Sequence, residues 1–336
     1  MRYQTLGRSN LKVSALCLGT MMFGDQTDAT EAARIVAHAH EHGVNFIDTA
    51  DVYTAGASET MVGQLIAAQR HDWVLATKLG NAMASRVNNG QYSRVWMLRA
   101  VDDSLRRLAT EHIDILYLHR DFAGMNLEEP VRALGDLVAS GKIRYWGVSN
   151  FRGWRISELV HTSARLGVPG PVVCQPYYNL LNRMPEVEVL PACEHHGIGV
   201  APYSPIARGV LTGKYAPGAQ PEAGTRAGRG DKRIAETEFR EESLAIAQQL
   251  QAHAAAKGVT LAQWATAWVL ANRIVSSVIA GPRTLAQWAD YLPALDYTVD
   301  ADDEALIDGL VAPGHPSTPG FNDPAYPLIG RRAAKA

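Results

Sequence analysis

Several common signposts are missing. The chain has 336 residues and only three cysteines, Cys17, Cys174 and Cys193. An odd count with no metal-ligand spacing argues against a disulfide framework and fits reduced, buried thiols. His195 and His196 are adjacent rather than spaced as a ligand pair, and the other histidines are scattered, so no metal is expected. No apolar run reaches the length of a bilayer span, and Met1-Arg2-Tyr3-Gln4-Thr5-Leu6-Gly7 lacks the apolar core of a signal peptide. The formal net charge is only −2, which supplies no field to hold nucleic acid or an anionic membrane. Two phosphate-binding signatures are also absent: no Gly-x-Gly-x-x-Gly follows the first apolar run, and there is no P-loop. The expectation is a cytoplasmic protein, with no nucleic-acid or membrane partner, that meets a small molecule or another protein. Self-association into a homo-oligomer is left open.

What is present is a repeating rhythm, supported by 47% hydrophobic residues, enough for a large core. Met1–Leu6 and Leu11–Val13 flank a turn at Gly7–Asn10 and read as a hairpin, residues 1–14. Eight short apolar runs follow: Ala15–Leu18, Val44–Ile47, Trp73–Thr77, Ile113–Leu118, Ile143–Val148, Val172–Gln175, Ile198–Ala201 and Val275–Ala280. Helical stretches lie between them at Ala29–His42, Ser58–Ala68, Arg94–Leu108, Leu127–Ser140, Trp154–Leu166, Glu186–His196 and Leu261–Ala271, with Thr284–Tyr291 after the last run. Asp28 and Glu31 have capping-box spacing, and Gly43, Gly141 and Gly197 sit where left-handed helix stops belong. Strands alternating with helices imply parallel pairing. Eight such units, without an open-sheet fingerprint, predict an α/β fold of the (β/α)8 TIM-barrel type. It forms one domain over residues 1–336, with the N-terminal hairpin, a long loop after strand seven and an extra C-terminal helix. Residues 205–240, rich in Gly, Pro and charge between Arg208 and Arg240, break the rhythm as a long functional loop. The Pro-rich tail, residues 313–336, is expected to run irregularly over the surface, with disorder at Arg331–Ala336.

Chemistry in such a barrel gathers at the C-terminal ends of the strands. Asp48, Lys78 and His119 stand at the ends of runs two, three and four, and Tyr53 lies in the loop after Asp48. Any one of them has a structural explanation: a turn residue, a surface charge, a packed aromatic, a satisfied histidine. Together they form a machine for reducing a carbonyl. A phenol with an ordinary pKa of about 10 is protonated near neutrality but is a weak acid. A neighbouring Lys⁺ lowers that value, which is the role expected of Lys78, with Asp48 holding it in place and His119 orienting the carbonyl oxygen.

At these residues the chain resembles the aldo-keto reductase family. Asp48-Thr49-Ala50-Asp51-Val52-Tyr53 is similar to its Asp-Thr-Ala-x-x-Tyr signature. Ala76-Thr77-Lys78 and Asp114–His119 are similar to the segments bearing its lysine and histidine, and Gly147-Val148-Ser149-Asn150-Phe151 to its Gly-x-Ser-Asn-Phe motif. The resemblance implies NADP(H) as cofactor, a small carbonyl or alcohol substrate and Tyr53 as proton donor. It further implies that Ser149, Asn150 and Gln175 hold the nicotinamide carboxamide, that Tyr203 stacks on the ring, and that Gly19, Thr20, Met21 and Asp48 belong to the cofactor site. The segment Ser204–Tyr215, through Ser204, Pro205, Ile206, Ala207, Gly209, Leu211 and Lys214, would cover the pyrophosphate, with Arg226 adding charge. Gly281, Arg283 and Gln287 would form the adenosine end, where a helix N-terminus and Arg283 meet a 2′-phosphate. Tyr291 departs from the family's asparagine near the adenine. Met22, Phe23, Met83 and Tyr178 are expected near the substrate. The Leu211-Thr212-Gly213-Lys214-Tyr215 run looks closer to bacterial reductases and potassium-channel β subunits than to animal aldose reductases, so a nucleotide-sensing regulatory subunit is the alternative. A cofactor-free barrel lyase or isomerase is a third reading.

Overall fold

The computed structural model describes residues 1–85, 87–328 and 330; the expectation for 331–336 lies outside the described residues. A hairpin of β1 (Tyr3–Thr5) and β2 (Lys12–Ser14) comes first. The eight barrel strands are β3 (Leu16–Gly19), β4 (Phe46–Asp48), β5 (Val74–Leu79), β6 (Ile113–Leu118), β7 (Ile143–Ser149), β8 (Val173–Gln175), β9 (Gly199–Val200) and β10 (Val278–Ala280). All pair in parallel, in the order β10-β3-β4-β5-β6-β7-β8-β9. The barrel closes between β9 and β10, where Ser276 N–H donates to Val200 O at 2.8 Å and Ile279 N–H to Pro202 O at 2.9 Å. Each of the eight expected apolar runs coincides with one of these strands.

Through the middle of the strands, side chains alternate between two environments, as the two-residue period of a strand requires. Leu16, Leu18, Ile47, Leu75, Leu116 and Leu118 pack outward under the helices. Cys17, Phe46, Val74, Ala76, Ile115, Tyr117, Val173 and Ile279 fill the barrel, together with Leu6 and Val13 from the hairpin. Those two hairpin residues plug the N-terminal mouth, each burial contributing about 1.5–3 kcal/mol. Gly7 must be glycine there: its φ is +56°, and a Cβ would lie 2.5 Å from Gly199 N. Gly147 leaves room for Tyr117, whose Cε1 would be 3.0 Å from an added Cβ.

The helices between strands are α1 (Ala29–Glu41), α2 (Ala57–Ile66), α3 (Arg94–Leu108), α4 (Glu128–Ala139), α5 (Gly153–Leu166) and α6 (Val189–His196). After β9 come α7 (Lys232–Glu236), α8 (Glu241–Ala256) and α9 (Leu261–Ala271); α10 (Leu285–Ala289) and α11 (Ala301–Leu310) follow β10. The structure corrects three expectations. The stretch Glu186–His196 is not continuous: a separate 3-10 turn covers Met184–Glu186. Helix α8 was not expected, although Leu244, Ala247, Leu250 and Ala254 bury one face at helical spacing. Asp28 caps α1 through Glu31 N–H, but Glu31 does not complete the box. Its carboxylate instead accepts Leu285 N–H at 2.6 Å, at the start of α10. Among the described residues, no helix is long and apolar enough to cross a membrane.

Candidate active site

The strand alternation itself assembles the site. Phe46 points inward and Ile47 outward, so Asp48 points inward. Val74 and Ala76 point inward, and so does Lys78; Tyr117 points inward, and so does His119; Val173 points inward, and so does Gln175. All four polar residues therefore face the same C-terminal mouth.

The contacts are tight. The Lys78 ammonium, fully buried, donates to an Asp48 carboxylate oxygen, to Thr49 O at 2.7 Å and to the Tyr53 hydroxyl at 3.1 Å. The other Asp48 oxygen accepts the Gln175 amide at 2.9 Å. The Tyr53 and His119 rings meet edge-on, 6.0 Å between centroids. Burial alone would depress Lys78, but Asp48 and then Tyr53 outweigh it and hold the ammonium above its ordinary value. Burial, then Lys78 and Arg120, pushes His119 down to about 3, so the imidazole is neutral and carries a single N–H. Tyr53 corrects one expectation. Lys78 does pull its pKa down, but burial is the larger influence, and with Asp48 it leaves the phenol above its ordinary value. Tyr53 is therefore firmly protonated at neutral pH.

Backbone strain gathers around the same mouth. Thr54, Ala55, Asn150, Ser204, Ala207 and Arg208 all have positive φ, between 48° and 60°. Each non-glycine residue held there costs about 1–3 kcal/mol and persists only where the surroundings enforce it. Asn150 shows the enforcement: its amide donates to His119 O and to Ser149 Oγ, both at 3.0 Å, while its oxygen accepts the Tyr203 hydroxyl at 2.8 Å. Ser149 donates to Gln175 O at 2.9 Å.

One elongated cavity of about 370 Å³ runs from Tyr53 and His119 past Tyr203 to Arg283. Gly19, Thr20, Met21, Asp48, Ser149, Asn150, Gln175, Ser204, Pro205, Ile206, Gly209, Lys214, Arg226, Gly281 and Gln287 line it as well. Ala207 and Leu211 do not. Both are fully buried in the hydrophobic core beneath the 3-10 segment Ala207–Thr212. Lys78 sits behind Asp48 and Tyr53 rather than on the cavity wall. Of the residues expected near the substrate, Met22 lines the cavity, while Phe23 and Tyr178 are buried in the core and Met83 packs against it.

At the far end the residues fit an anionic dinucleotide. Burial lowers the Lys214 ammonium, and Arg283 and Arg229 lower it further: three cations repel one another in a recess. The backbone at the start of α10 is partly committed within the protein. Leu285 N–H donates to Glu31 and Gln287 N–H to Thr284 Oγ1, and Arg283 N–H donates to the Gln287 side chain at 2.9 Å. Side-chain charge therefore supplies most of what faces an anion at this end. Tyr291, nearly buried, forms part of the wall there.

Sequence reasoning missed Arg229, Arg233 and Tyr326, which also line the cavity. The first two were visible as cations in the Gly-rich loop. Tyr326 had no local signal, because its place at the cavity is set by long-range contacts. Arg233 grips Asp323 at 2.6 and 3.1 Å. Arg120 donates to Ala325 O and Arg152 to Tyr326 O, each at 2.9 Å, and the Arg240 guanidinium lies 3.8 Å from the Phe321 ring centre. The tail thereby forms one wall of the mouth.

With this barrel and this polar cluster, the chain belongs to the aldo/keto reductase family, whose sequence profile matches residues 15–312. A protein of Arabidopsis thaliana named probable voltage-gated potassium channel subunit beta is 39% identical over 301 residues, spanning 88% of this chain and 92% of its own length. The uncharacterized oxidoreductase YrpG of Bacillus subtilis (strain 168) is 36% identical over 315 residues, 90% of this chain and 93% of its own. A putative voltage-gated potassium channel subunit beta of Schizosaccharomyces pombe is 32% identical over 305 residues, 88% of each chain. Family membership supports an oxidoreductase.

Proposed function

We propose that this protein reduces small aldehydes or ketones to alcohols, reversibly, with NADPH as reductant and Tyr53 as general acid. The observation that carries the proposal is the Tyr53 hydroxyl held 3.1 Å from a fully buried Lys78, at one end of a cavity whose other end is cationic. NADPH, when bound, supplies the hydride that the carbonyl carbon accepts. Tyr53 gives its proton to the carbonyl oxygen, completing the alcohol, and the phenolate left behind is stabilised by the Lys78 ammonium. Asp48 keeps that ammonium charged and aimed. Neutral His119 offers an N–H to the same oxygen without competing as an acid. A positioned acid of this kind contributes about 10²–10⁴-fold in rate. Asn150, Gln175 and Tyr203 form a hydrogen-bonded wall for the nicotinamide, and Lys214, Arg229 and Arg283 answer the phosphate at the adenosine end, which is why NADPH is preferred to NADH.

The names of the Arabidopsis and Schizosaccharomyces relatives favour a second reading, a nucleotide-binding regulatory subunit with little turnover. A panel of aldehydes assayed for NADPH oxidation, alongside a fluorescence titration of NADPH, separates the two. Rapid turnover supports the reductase. Tight binding with negligible turnover across the panel supports the subunit, and no binding rejects both.

A further inference from the structure

Asp51 takes no part in the mechanism above, yet it is the most anomalous polar group beside it. It lies in the loop joining Asp48 to Tyr53, and its backbone N–H donates to Lys78 O at 3.0 Å. Its side chain is wholly buried, and neither carboxyl oxygen has a well-aligned hydrogen-bond partner; the adjoining Val52 N–H offers only a weak one. A buried carboxylate in that condition is strongly disfavoured.

The charged neighbours explain why it stays unpaired. Glu59, from α2 and equally buried, has taken the local counter-charge: Arg107 of α3 donates to one of its oxygens at 2.6 Å, and Thr77 of β5 to the other at 2.5 Å. Lys78 of β5 is committed to Asp48, Thr49 and Tyr53. Tyr92, ahead of α3, points its hydroxyl at Arg120 O at 2.6 Å. Two carboxyls thus share a pocket that holds one free cation-equivalent among the described residues, and Glu59 has it. Two acids in such a site do not both ionise.

Resting on the reductase reading, we infer that Asp51 is a positioning residue for the Tyr53–Lys78 pair: as the neutral acid it leaves the lysine's positive field undivided at the phenol, and its ionisation makes Tyr53 a poorer proton donor. Burial, and then the charge of Glu59, pushes the Asp51 carboxyl up to about 8 against the opposing pull of Arg107, the Val52 N–H and Lys78. Its loss of a proton thus falls just above neutrality. The negative charge it then carries, two residues from Tyr53, opposes formation of the phenolate that proton donation leaves behind. Carbonyl reduction accordingly weakens on the alkaline side before Tyr53 itself titrates.

The test compares wild type, Asp51→Asn and Glu59→Gln. Infrared spectroscopy of the free protein is expected to show a protonated carboxylic acid at pH 7 that disappears with a midpoint near the 8 given above. The band should be missing in Asp51→Asn. In Glu59→Gln, where Arg107 is free to face Asp51, it should titrate at lower pH. In the rate of aldehyde reduction, the alkaline limb should move up by about one pH unit or more in Asp51→Asn and down in Glu59→Gln. A merely structural role moves neither limb in opposite senses. The inference is overturned if no such band exists at pH 7, or if Asp51→Asn leaves the limb in place. Should the protein reduce no carbonyl at all, the reductase reading fails by itself. The inference then stands or falls on the band and on the ultraviolet titration of Tyr53, isolated against Tyr53→Phe, which Asp51→Asn must shift downward.

Discussion

Replacing Lys78 with methionine keeps an apolar stem of similar length and deletes the charge. The loss is calculable because each partner of the ammonium is known. Asp48 keeps only the Gln175 amide at 2.9 Å, and the Thr49 carbonyl loses its donor at 2.7 Å. Removing one member of a buried ion pair costs about 3–5 kcal/mol, and an unmade hydrogen bond to a buried carbonyl adds about 1 kcal/mol. Asp48 escapes part of this by taking up a proton, which makes the deficit depend on pH. A carboxyl whose folded pKa is raised above its unfolded value contributes stability below the unfolded value and loses it as pH rises through the folded one. Lys78→Met should therefore be weakest at pH 8 and recover towards wild type as the pH falls to mildly acidic values. Adding Asp48→Asn removes the stranded charge, so the double variant should be more stable than Lys78→Met alone, a non-additivity expected of groups in contact. The assay is urea denaturation followed by tryptophan fluorescence, with Trp146, Trp264 and Trp288 as buried reporters. If Lys78→Met unfolds at the wild-type urea concentration, or if Asp48→Asn adds its own loss instead of restoring stability, the buried-pair argument is wrong.

Tyr53→Phe should lower carbonyl reduction by about 10²–10⁴-fold with NADPH affinity essentially unchanged; steady-state rates and a fluorescence titration check both halves. Arg283→Ala should weaken NADPH by about tenfold or more, the effect of one charge-assisted hydrogen bond, and leave NADH nearly untouched; equal losses would remove the 2′-phosphate assignment. His119 has a folded pKa near 3, below its unfolded value of about 6.5. The unfolded chain therefore binds the extra proton first, and stability is present above pH 6.5 and lost on acidification, at about 1.4 kcal/mol per pH unit in that window. His119→Gln should flatten the slope in a denaturation series across it. Asp323→Asn cuts the Arg233 grip on the tail. The pair is partly exposed and contributes about 1 kcal/mol or less, so the expected effect is faster proteolysis within the tail with the melting of the barrel unchanged.

The sequence by itself determined the strand-and-helix rhythm and the polar residues at the strand ends. Both follow from local rules: a two-residue period places Asp48, Lys78, His119 and Gln175 on the same side as Phe46, Ala76, Tyr117 and Val173, whatever else surrounds them. It did not determine the balance of forces at those residues. Whether Lys78 lowers the Tyr53 phenol, or burial raises it, depends on how much protein closes over both, and burial is a property of the packed barrel. Chain-distant partners were equally unreadable. Glu31 caps α10 rather than its own helix, Glu59 takes the arginine that would have neutralised Asp51, and four arginines from separate segments lay Tyr326 and its neighbours along the cavity. Hydrogen bonds and ion pairs reach only about 3 Å, so their partners are fixed by what folding brings together, and no spacing along the chain records it.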